Sequence, residues 1–464
     1  MESSLVKMLE KHDKKNHISF SMPGHKNGRG IEKSLKNNFF GYDVTELADT
    51  ESMHSPGKAL TEALESAAEF FGSDESFILV NGSSSGIFTM LMSCCKRGDK
   101  VALNRGCHVS AINACITLGL TPVFINQPLI DELGVPDAVG VSDTERILKE
   151  EKPSALLITS PSFYGFAADI RVLSEAAHRN GIPLLADEAH GAHFAACSDI
   201  FPKPAIKSGA DMCVQSAHKT LNAANQTAFL HIAGNIIDRD RVRKCFSIFQ
   251  TTSPCYPLMA TADAAMCELR EKGAQMWERV YKLCAELRGK NYFTSPDRTW
   301  LGRYNFADID ECRLVFNFNG LTGFEVSERL SKEFGIDIEM ADLYNIVMIP
   351  TPSNTDADFE ALDKALAEIK KTDIGRKKGC IAPPETKAVM TPSEAFDADG
   401  EFAELKSAAG KIAKASVTPY PPGIAALVPG ERIDGEMIEY LCGLTAAGAE
   451  IHGIKNGKVE IVKQ

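Results

Sequence analysis

The sequence lacks any apolar run long enough to cross a membrane, and its beginning, MESSLVKMLEKHDKKN, lacks the apolar stretch of a signal peptide. It is also short of positive charge: 50 Lys and Arg residues stand against 62 Asp and Glu residues, for a formal net charge of −12. Nucleic acids and anionic membranes bind basic surfaces, so the composition argues against both as partners. We therefore expect a soluble cytoplasmic protein whose acidic character suits a cationic small molecule.

Paired cysteine motifs are missing as well. The 13 cysteines are odd in number and scattered, and most stand beside apolar residues. This pattern argues against a disulfide framework and predicts reduced thiols packed in the core. With 464 residues, 44% of them hydrophobic and 24% charged, the chain has the composition of a globular protein of two or three domains.

Apolar runs alternate with helix-like segments between about residues 58 and 235. The runs are SFILV (76–80), KVALN (100–104), TPVFI (121–125), ALLITS (155–160), PLLADEAH (183–190), ADMCVQS (210–216) and TAFLHIAG (227–234). Strands that are apolar throughout and separated by helices predict an α/β fold, in which helices cover both faces of a mostly parallel, doubly wound sheet.

The pattern changes after TTSPCYP (251–257), where a long helical stretch leads into shorter segments typical of an α+β domain. A charged stretch that contains Pro and Gly follows and is typical of a linker. We divide the chain into an N-terminal segment (1–45), a large domain (46–290), a small α+β domain (291–372), a linker (373–400) and a C-terminal domain (401–464).

Three polar clusters follow strands of the predicted sheet, and ligands of open α/β sheets bind beyond the carboxyl ends of the strands. In NGSSSG (81–86), Gly82 permits a tight turn, and the next three residues offer hydroxyl and amide groups at the start of a helix. Such a turn predicts a phosphate site, although an ordinary helix cap has the same composition.

The other two clusters are DEAHGAH (187–193) and SAHKTLNA (216–223). Asp187 suits a helix cap, a partner for a cationic ring nitrogen or, with His190 and His193, a metal site. Because Asp-x-x-His-x-x-His is not a common catalytic metal spacing, we predict no metal. Lys219 is placed where a buried strand ends, so it is either a solvated surface lysine or a functional amine.

Taken together, the clusters supply an anion site, a carboxylate and a lysine. If they meet in one crevice, they are the parts that hold pyridoxal 5′-phosphate (PLP). The lysine binds the aldehyde covalently, and the carboxylate keeps the pyridine nitrogen protonated so that the ring accepts electrons.

Seven motifs carry a resemblance over nearly the whole chain. They are MPGHKNGRG (22–30), DVTEL (43–47), LVNGSSSG (79–86), DEAHGAHF (187–194), SAHKTL (216–221), TTSP (251–254) and PPGIAALVPGE (421–431). The chain resembles the Orn/Lys/Arg decarboxylase family of fold-type I PLP-dependent enzymes in its shorter bacterial forms. The resemblance implies decarboxylation of arginine, lysine or ornithine to agmatine, cadaverine or putrescine, amines of polyamine biosynthesis.

The resemblance also implies roles at the cofactor ring. Lys219 would bind PLP, and Asp187 would pair with the pyridinium nitrogen. His108 would stack on one face of the ring and Ala189 would press on the other. The catalytic set is then Lys219, His218, Asp187 and His108, with His218 or Lys219 protonating Cα.

Further roles implied by the resemblance concern the phosphate, the partner subunit and the substrate. The residues expected on the phosphate side are Ser83, Ser84, Ser85, Ser216 and His218. Thr252 or Ser253 is expected to reach across a homodimer, which can assemble further. Glu431 and Asp43 are candidate acids for the distal cation of the substrate.

Two other functions stay open at this point. An aminotransferase of the same fold would grip the α-carboxylate with an arginine, and Arg313 in CRLVFNF is available, although we expect a surface residue at a strand edge. An inactive regulatory paralogue would not need Lys219 and Asp187, which are both present. In PGHK (23–26), His25 and Lys26 are either surface residues or lie near the active site of the dimer.

Overall fold

The computed structural model describes residues 3–47, 49–375, 383–420 and 423–463. The helices are α1 Ser4–Asp13, α2 Lys33–Asn38, α3 Lys58–Phe71, α4 Gly82–Cys94, α5 Val109–Leu118, α6 Val141–Glu151, α7 Ile170–Arg179, α8 Ala217–Thr220, α9 Arg239–Phe249, α10 Tyr256–Gly289, α11 Gly323–Phe334, α12 Asp356–Lys370, α13 Pro392–Asp397 and α14 Gly435–Ala446.

The first twelve strands, which include the central sheet, are β1 Ile18–Phe20, β2 Glu75–Leu79, β3 Lys100–Asn104, β4 Thr121–Ile125, β5 Leu129–Ile130, β6 Val135–Pro136, β7 Ala155–Thr159, β8 Phe166–Ala167, β9 Leu184–Asp187, β10 Met212–Gln215, β11 Ala228–Ile232 and β12 Asp308–Ile309. The remaining strands are β13 Leu314–Asn317, β14 Ile336–Ile338, β15 Met340–Ala341, β16 Asn345–Met348, β17 Lys387–Ala388, β18 Gly400–Glu404, β19 Thr418–Tyr420, β20 Glu431–Arg432, β21 Glu450–His452, β22 Ile454–Lys455 and β23 Lys458–Val462.

A seven-stranded sheet in the order β2-β11-β10-β9-β7-β3-β4 forms the centre of the large domain. All seven predicted strands lie in it. β11 runs antiparallel to both of its neighbours, and the other pairs are parallel. The predicted α/β fold with a mostly parallel, doubly wound sheet is therefore confirmed.

Hydrophobic side chains cover both faces of this sheet. Leu157 and Leu185 belong to one buried cluster, whereas their neighbours Leu156 and Leu184 belong to another. Successive residues of a strand point to opposite faces, so a strand buried on both faces must be apolar at every position. This is why the strands appear in the sequence as continuous apolar runs.

Helix α7 shows how local sequence sets an element. The Asp169 carboxylate accepts a hydrogen bond from Val172 N at 3.1 Å and caps the first turn. The helix ends at Arg179, and Gly181, with a left-handed φ of 72°, follows its C-terminus.

The small domain contains the three-stranded sheet β13-β16-β15. The N-terminal segment joins this part of the chain, because β1 pairs in parallel with β14, Ile18 opposite Ile336. The 34-residue helix α10 links the large domain to the small domain.

The C-terminal region has its own hydrophobic cluster, centred on α14 and on the sheet β18-β23-β22. It contacts the large domain through a β-bridge between His108 and Ile424. Within the predicted linker, β17 and α13 are formed, and 376–382 lie outside the described residues, as do Pro421 and Pro422 of the motif at 421–431.

Two sequence expectations concern the whole chain. The cysteines that fall within the described ranges are all free thiols, in agreement with the prediction of reduced cysteines. Across the same ranges, no helix combines the length and apolarity that a membrane crossing requires.

Candidate active site

A pocket lies at the carboxyl ends of β3, β7 and β9. Strand register produces it: Asp187, the last residue of β9, pairs with Thr159 of β7 and with Val214 of β10. The chain leaves β10 and enters α8 directly, which brings Lys219 to the same edge. Among the predicted residues, the pocket is lined by Ser83, His108, Asp187, Ala189 and Lys219.

Lys219 lies on the single turn of α8 and is half-buried. Its Nζ is 2.9 Å from Nε2 of His190. Burial lowers the pKa of Lys219 to about 8; the charges of Asp187 and Glu339 raise it, and that of Arg313 lowers it. At neutral pH this amine is therefore deprotonated far more often than a surface lysine, which makes it a better nucleophile.

Asp187 and His108 are both held by neighbouring backbone amides. The buried Asp187 carboxylate accepts a hydrogen bond from Ala189 N at 3.2 Å. His108 caps α5, and its Nδ1 accepts from Ser110 N at 3.2 Å. Burial lowers the pKa of His108. A fixed carboxylate and an oriented imidazole thus face the same pocket as the amine, and Ala189 lines it with a methyl group.

The start of α4 contains the predicted serine cluster. The cap residue Asn81 makes no side-chain bond to the first turn. Ser83 lines the pocket and Ser84 is exposed, whereas the Ser85 hydroxyl donates to Gly82 O and accepts from Gln250 Nε2, both at 2.7 Å. The Ser85 side chain is therefore engaged within the protein, whereas Ser83 is at the pocket and Ser84 is on the surface.

Ser216, the cap residue of α8, does not line the pocket but offers a second group for an anion. Its Oγ is buried and has no hydrogen-bond partner. An unsatisfied buried hydroxyl costs about 1–3 kcal/mol, which a bound phosphate oxygen would recover. The lysine, the carboxylate, the helix turn without a side-chain cap and this hydroxyl fit the chemistry of PLP.

His218 does not line the pocket. Its Nδ1 donates to Thr227 O at 2.7 Å, and burial lowers its pKa to about 4. The ring is therefore neutral at pH 7. Thr252 and Ser253 are exposed, so within one chain neither contributes to the pocket. The roles predicted for these three residues stay predictions.

Arg313 is not the surface residue that the sequence suggested. Only 2% of it is exposed, and its Nη2 lies 3.2 Å from Nδ1 of His190. Arg313 directly precedes β13, and its side chain reaches His190 in the loop that follows β9.

Glu431 is not a free acid for a substrate. Its carboxylate forms a two-point ion pair with Arg105, at 2.8 and 3.1 Å, and also accepts from the Thr386 hydroxyl. The negative charge is therefore already balanced in the buried contact between the large and C-terminal domains. Asp43 is exposed and does not line the pocket.

The motif PGHK packs behind the pocket. Lys26 has no exposed surface and donates to the carbonyls of Ser21 and Ile349. Burial lowers its pKa to about 7. Gly24 N donates to His218 O at 2.7 Å, so this turn supports the loop that carries Lys219.

His190 is the residue whose position the sequence analysis missed. It was considered as a metal ligand with His193, but it contacts Lys219 and Arg313 instead. His193 lies 3.2 Å from Asp310 and stacks on Trp277. The described ranges contain no group of three or more His, Cys, Asp or Glu residues suited to a metal ion. The motif DEAH could have indicated this position. His190 follows Asp187, the last residue of β9, by only three residues, and both line the pocket at the carboxyl end of that strand.

Comparisons with known proteins agree with this geometry. The family model of the Orn/Lys/Arg decarboxylase major domain matches residues 3–310, and that of the C-terminal domain matches residues 377–458. An arginine decarboxylase of Bacillus subtilis is 32% identical over 478 residues, covering 100% of this chain and 97% of its own.

Solved structures share the fold. The lysine decarboxylase LdcF of Francisella novicida has a TM-score of 0.79 and 19% identity, covering 95% of this chain and 78% of its own. A serine palmitoyltransferase of S. paucimobilis, solved with PLP-myriocin bound, has a TM-score of 0.58 and 15% identity, covering 77% of this chain and 88% of its own. With both domain models matched in order along the sequence, the chain belongs to the Orn/Lys/Arg decarboxylase family.

Proposed function

We propose that this protein is a PLP-dependent decarboxylase that converts a basic L-amino acid into CO2 and the corresponding amine in the cytoplasm. One observation carries the proposal: Lys219 and Asp187 line a single pocket at the carboxyl ends of parallel strands. Membership of the family and the fold shared with a PLP-containing transferase support it.

The chain offers a partner for each part of the cofactor. Lys219 would bind the aldehyde, Asp187 would pair with the ring nitrogen, and His108 and Ala189 would contact the two ring faces. The phosphate would take the first turn of α4 and the Ser216 hydroxyl. When bound, PLP supplies a conjugated ring that accepts the electron pair left on Cα as a bond to it breaks.

The residues of the chain then act around that ring. The fixed charge of Asp187 stabilises a protonated ring nitrogen, an electrostatic effect that is in place before reaction. Lys219, with its lowered pKa, can both hold a proton and release it near neutral pH. Because His218 lies outside the pocket, we assign the return of the proton to Cα to Lys219.

The choice among arginine, lysine and ornithine rests on relatives. Full-length relatives that are 31–32% identical are named arginine decarboxylase, whereas those named lysine decarboxylase are 21–22% identical. We therefore propose arginine as the substrate, with agmatine as the product.

A homodimer would complete the site. In the described part of this chain, Asp187 is the one carboxylate that lines the pocket, so the distal cation needs an acid from elsewhere. We expect a second copy to cover exposed apolar side chains such as Phe40 and Ile248, which are 85% and 60% exposed in the single chain. Thr252 is the residue that we propose to be donated across it.

The structure does not support the aminotransferase alternative, which needs an arginine in the pocket to bind the substrate carboxylate. Arg313 is engaged with His190 and does not line the pocket, so it is not placed to grip a substrate carboxylate.

A decarboxylation assay tests the proposal. The protein, supplied with PLP, is incubated with carboxyl-labelled arginine, lysine or ornithine. We expect labelled CO2 and stoichiometric amine, fastest with arginine. Lys219→Ala should abolish release, and the exposed Lys207→Ala is the matched control that should retain it. Accumulation of keto acid without CO2 would indicate an aminotransferase, and the absence of both turnover and visible cofactor absorbance would indicate an inactive paralogue.

A further inference from the structure

His190 lies between two basic side chains. Its Nε2 is 2.9 Å from Lys219 Nζ, and its Nδ1 is 3.2 Å from Arg313 Nη2. The ring is buried, and Phe163 packs edge-on against it with centroids 5.0 Å apart. Both contacts are thus fixed by the packing around the imidazole.

The donor chemistry of these contacts allows one arrangement of protons. A guanidinium only donates hydrogen bonds, so Nδ1 of His190 must accept, and the neutral ring carries its proton on Nε2. That N–H points at Lys219 Nζ. An ammonium has no lone pair to accept it, so this tautomer favours the neutral amine over the ammonium.

The charges around the ring agree with a neutral histidine. Burial lowers the pKa of His190 well below its ordinary value, and the neighbouring basic groups Lys219, Arg313, His108 and His218 lower it further. Asp187 and Glu339 face Lys219 and favour its ammonium, which Arg313 and burial oppose.

The position of Arg313 is closely defined. A Cβ at residue 165 would lie 2.9 Å from Arg313 Cβ, so Gly165, with φ of 94°, leaves room for the stem of the side chain. Nε and Nη1 of Arg313 are buried without a hydrogen-bond partner. Asp310 and Glu339 supply negative charge near the guanidinium, but N–H groups left unsatisfied in the interior are costly, so the contact of Arg313 with His190 calls for a function.

We propose that Arg313 is a positioning residue that fixes the Nε2–H tautomer of His190 and thereby shifts Lys219 toward the neutral amine. We call the contacts from Arg313 through His190 to Lys219 the relay. Its role in catalysis rests on the proposed function, because a neutral amine is the form that adds to a carbonyl. The proton arrangement itself does not depend on the cofactor.

Competitive labelling of Lys219 tests the proposal without turnover. The full-length protein, freed of carbonyl compounds with hydroxylamine, is acetylated with limiting reagent across a pH series, and peptide mapping reports Lys219. We expect half-maximal labelling near pH 8. In Arg313→Met, the cation that lowers the pKa of Lys219 is lost and His190 can turn its lone pair toward Lys219, so the midpoint should rise by about one unit or more.

Two variants separate the relay from damage to the fold. Arg313→Lys keeps a cation that only donates and should restore most of the original midpoint. Arg298→Met removes a half-buried arginine that pairs with Asp308 and does not contact His190, and it should leave the midpoint unchanged. An unchanged midpoint in Arg313→Met would overturn the proposal.

If Arg313→Met does not fold, neutron diffraction of the unmodified protein shows directly which nitrogen of His190 carries the proton. We expect a deuteron on Nε2 of His190 and none on Nδ1. A deuteron on Nδ1 would overturn the relay while leaving the decarboxylation assay, and hence the proposed function, unaffected.

Discussion

Arg105 and Glu431, 326 residues apart in the chain, form a two-point ion pair that joins the large domain to the C-terminal domain. The Glu431 side chain is 3% exposed and that of Arg105 is 22% exposed. Ile424, from the same C-terminal segment, lines the pocket beside His108. The ion pair therefore fixes part of the pocket wall as well as the domain contact.

Removing the cation of this pair should be strongly destabilising. Arg105→Met leaves the Glu431 carboxylate buried without its cation, and we expect the free energy of unfolding to fall by about 3 kcal/mol. Urea unfolding measures the change. Arg171→Met, which breaks an exposed pair with Glu175, is the matched control and should cost about 0.5 kcal/mol or less. Equal effects of the two substitutions would refute the role given to the Arg105 pair.

The turn at Gly24 should not tolerate a side chain. A Cβ at this position would lie 2.3 Å from Leu221 O, two residues beyond Lys219. Gly24→Ala should therefore displace the loop that carries Lys219, lower the unfolding free energy by about 2 kcal/mol and weaken PLP binding. Gly41→Ala, where the nearest atom would lie 3.9 Å away, is the control and should do neither. Unchanged PLP affinity in Gly24→Ala would argue against close support of the lysine loop.

His231 should make stability depend on pH. Its ring is fully buried between Ser76 and Gln215, and burial lowers its pKa to about 3. As pH falls below about 6.5 the unfolded chain binds this proton and the folded one does not, so stability falls by about 1.4 kcal/mol per pH unit until about pH 3.

The variant His231→Gln removes this contribution. Between about pH 7 and pH 5, its unfolding free energy should fall by about 2 kcal/mol less than that of the wild type. Urea unfolding at the two pH values provides the comparison. His452→Gln, at an exposed position, should keep the wild-type dependence. The same slope in His231→Gln as in the wild type would contradict the prediction.

The sequence was sufficient for the strands of the large sheet but not for their order. A strand buried on both faces must be apolar throughout, so SFILV and ALLITS could be identified locally. Their neighbours could not, since β3 pairs with β7 some fifty residues later in the chain, across intervening elements. The crevice itself could still be expected, because ligands of open α/β sheets bind beyond the carboxyl ends of the strands.

Some residues of the candidate site could also be predicted from the sequence, and others could not. Asp187 and Lys219 could be identified because each directly follows a strand of a parallel sheet, where carboxyl ends meet. Arg313 and Glu431 were misjudged because their environments depend on His190 and Arg105, which are 123 and 326 residues away. Local patterns carry no information about such pairings.

The central claim is that Lys219 is the amine that binds PLP, and reductive trapping tests it most directly. The purified protein with PLP is treated with borohydride, digested and analysed by peptide mass mapping. We predict that the phosphopyridoxyl group is found on the peptide that contains Lys219. Its recovery on another lysine, such as the buried Lys26, or on none, would contradict the account.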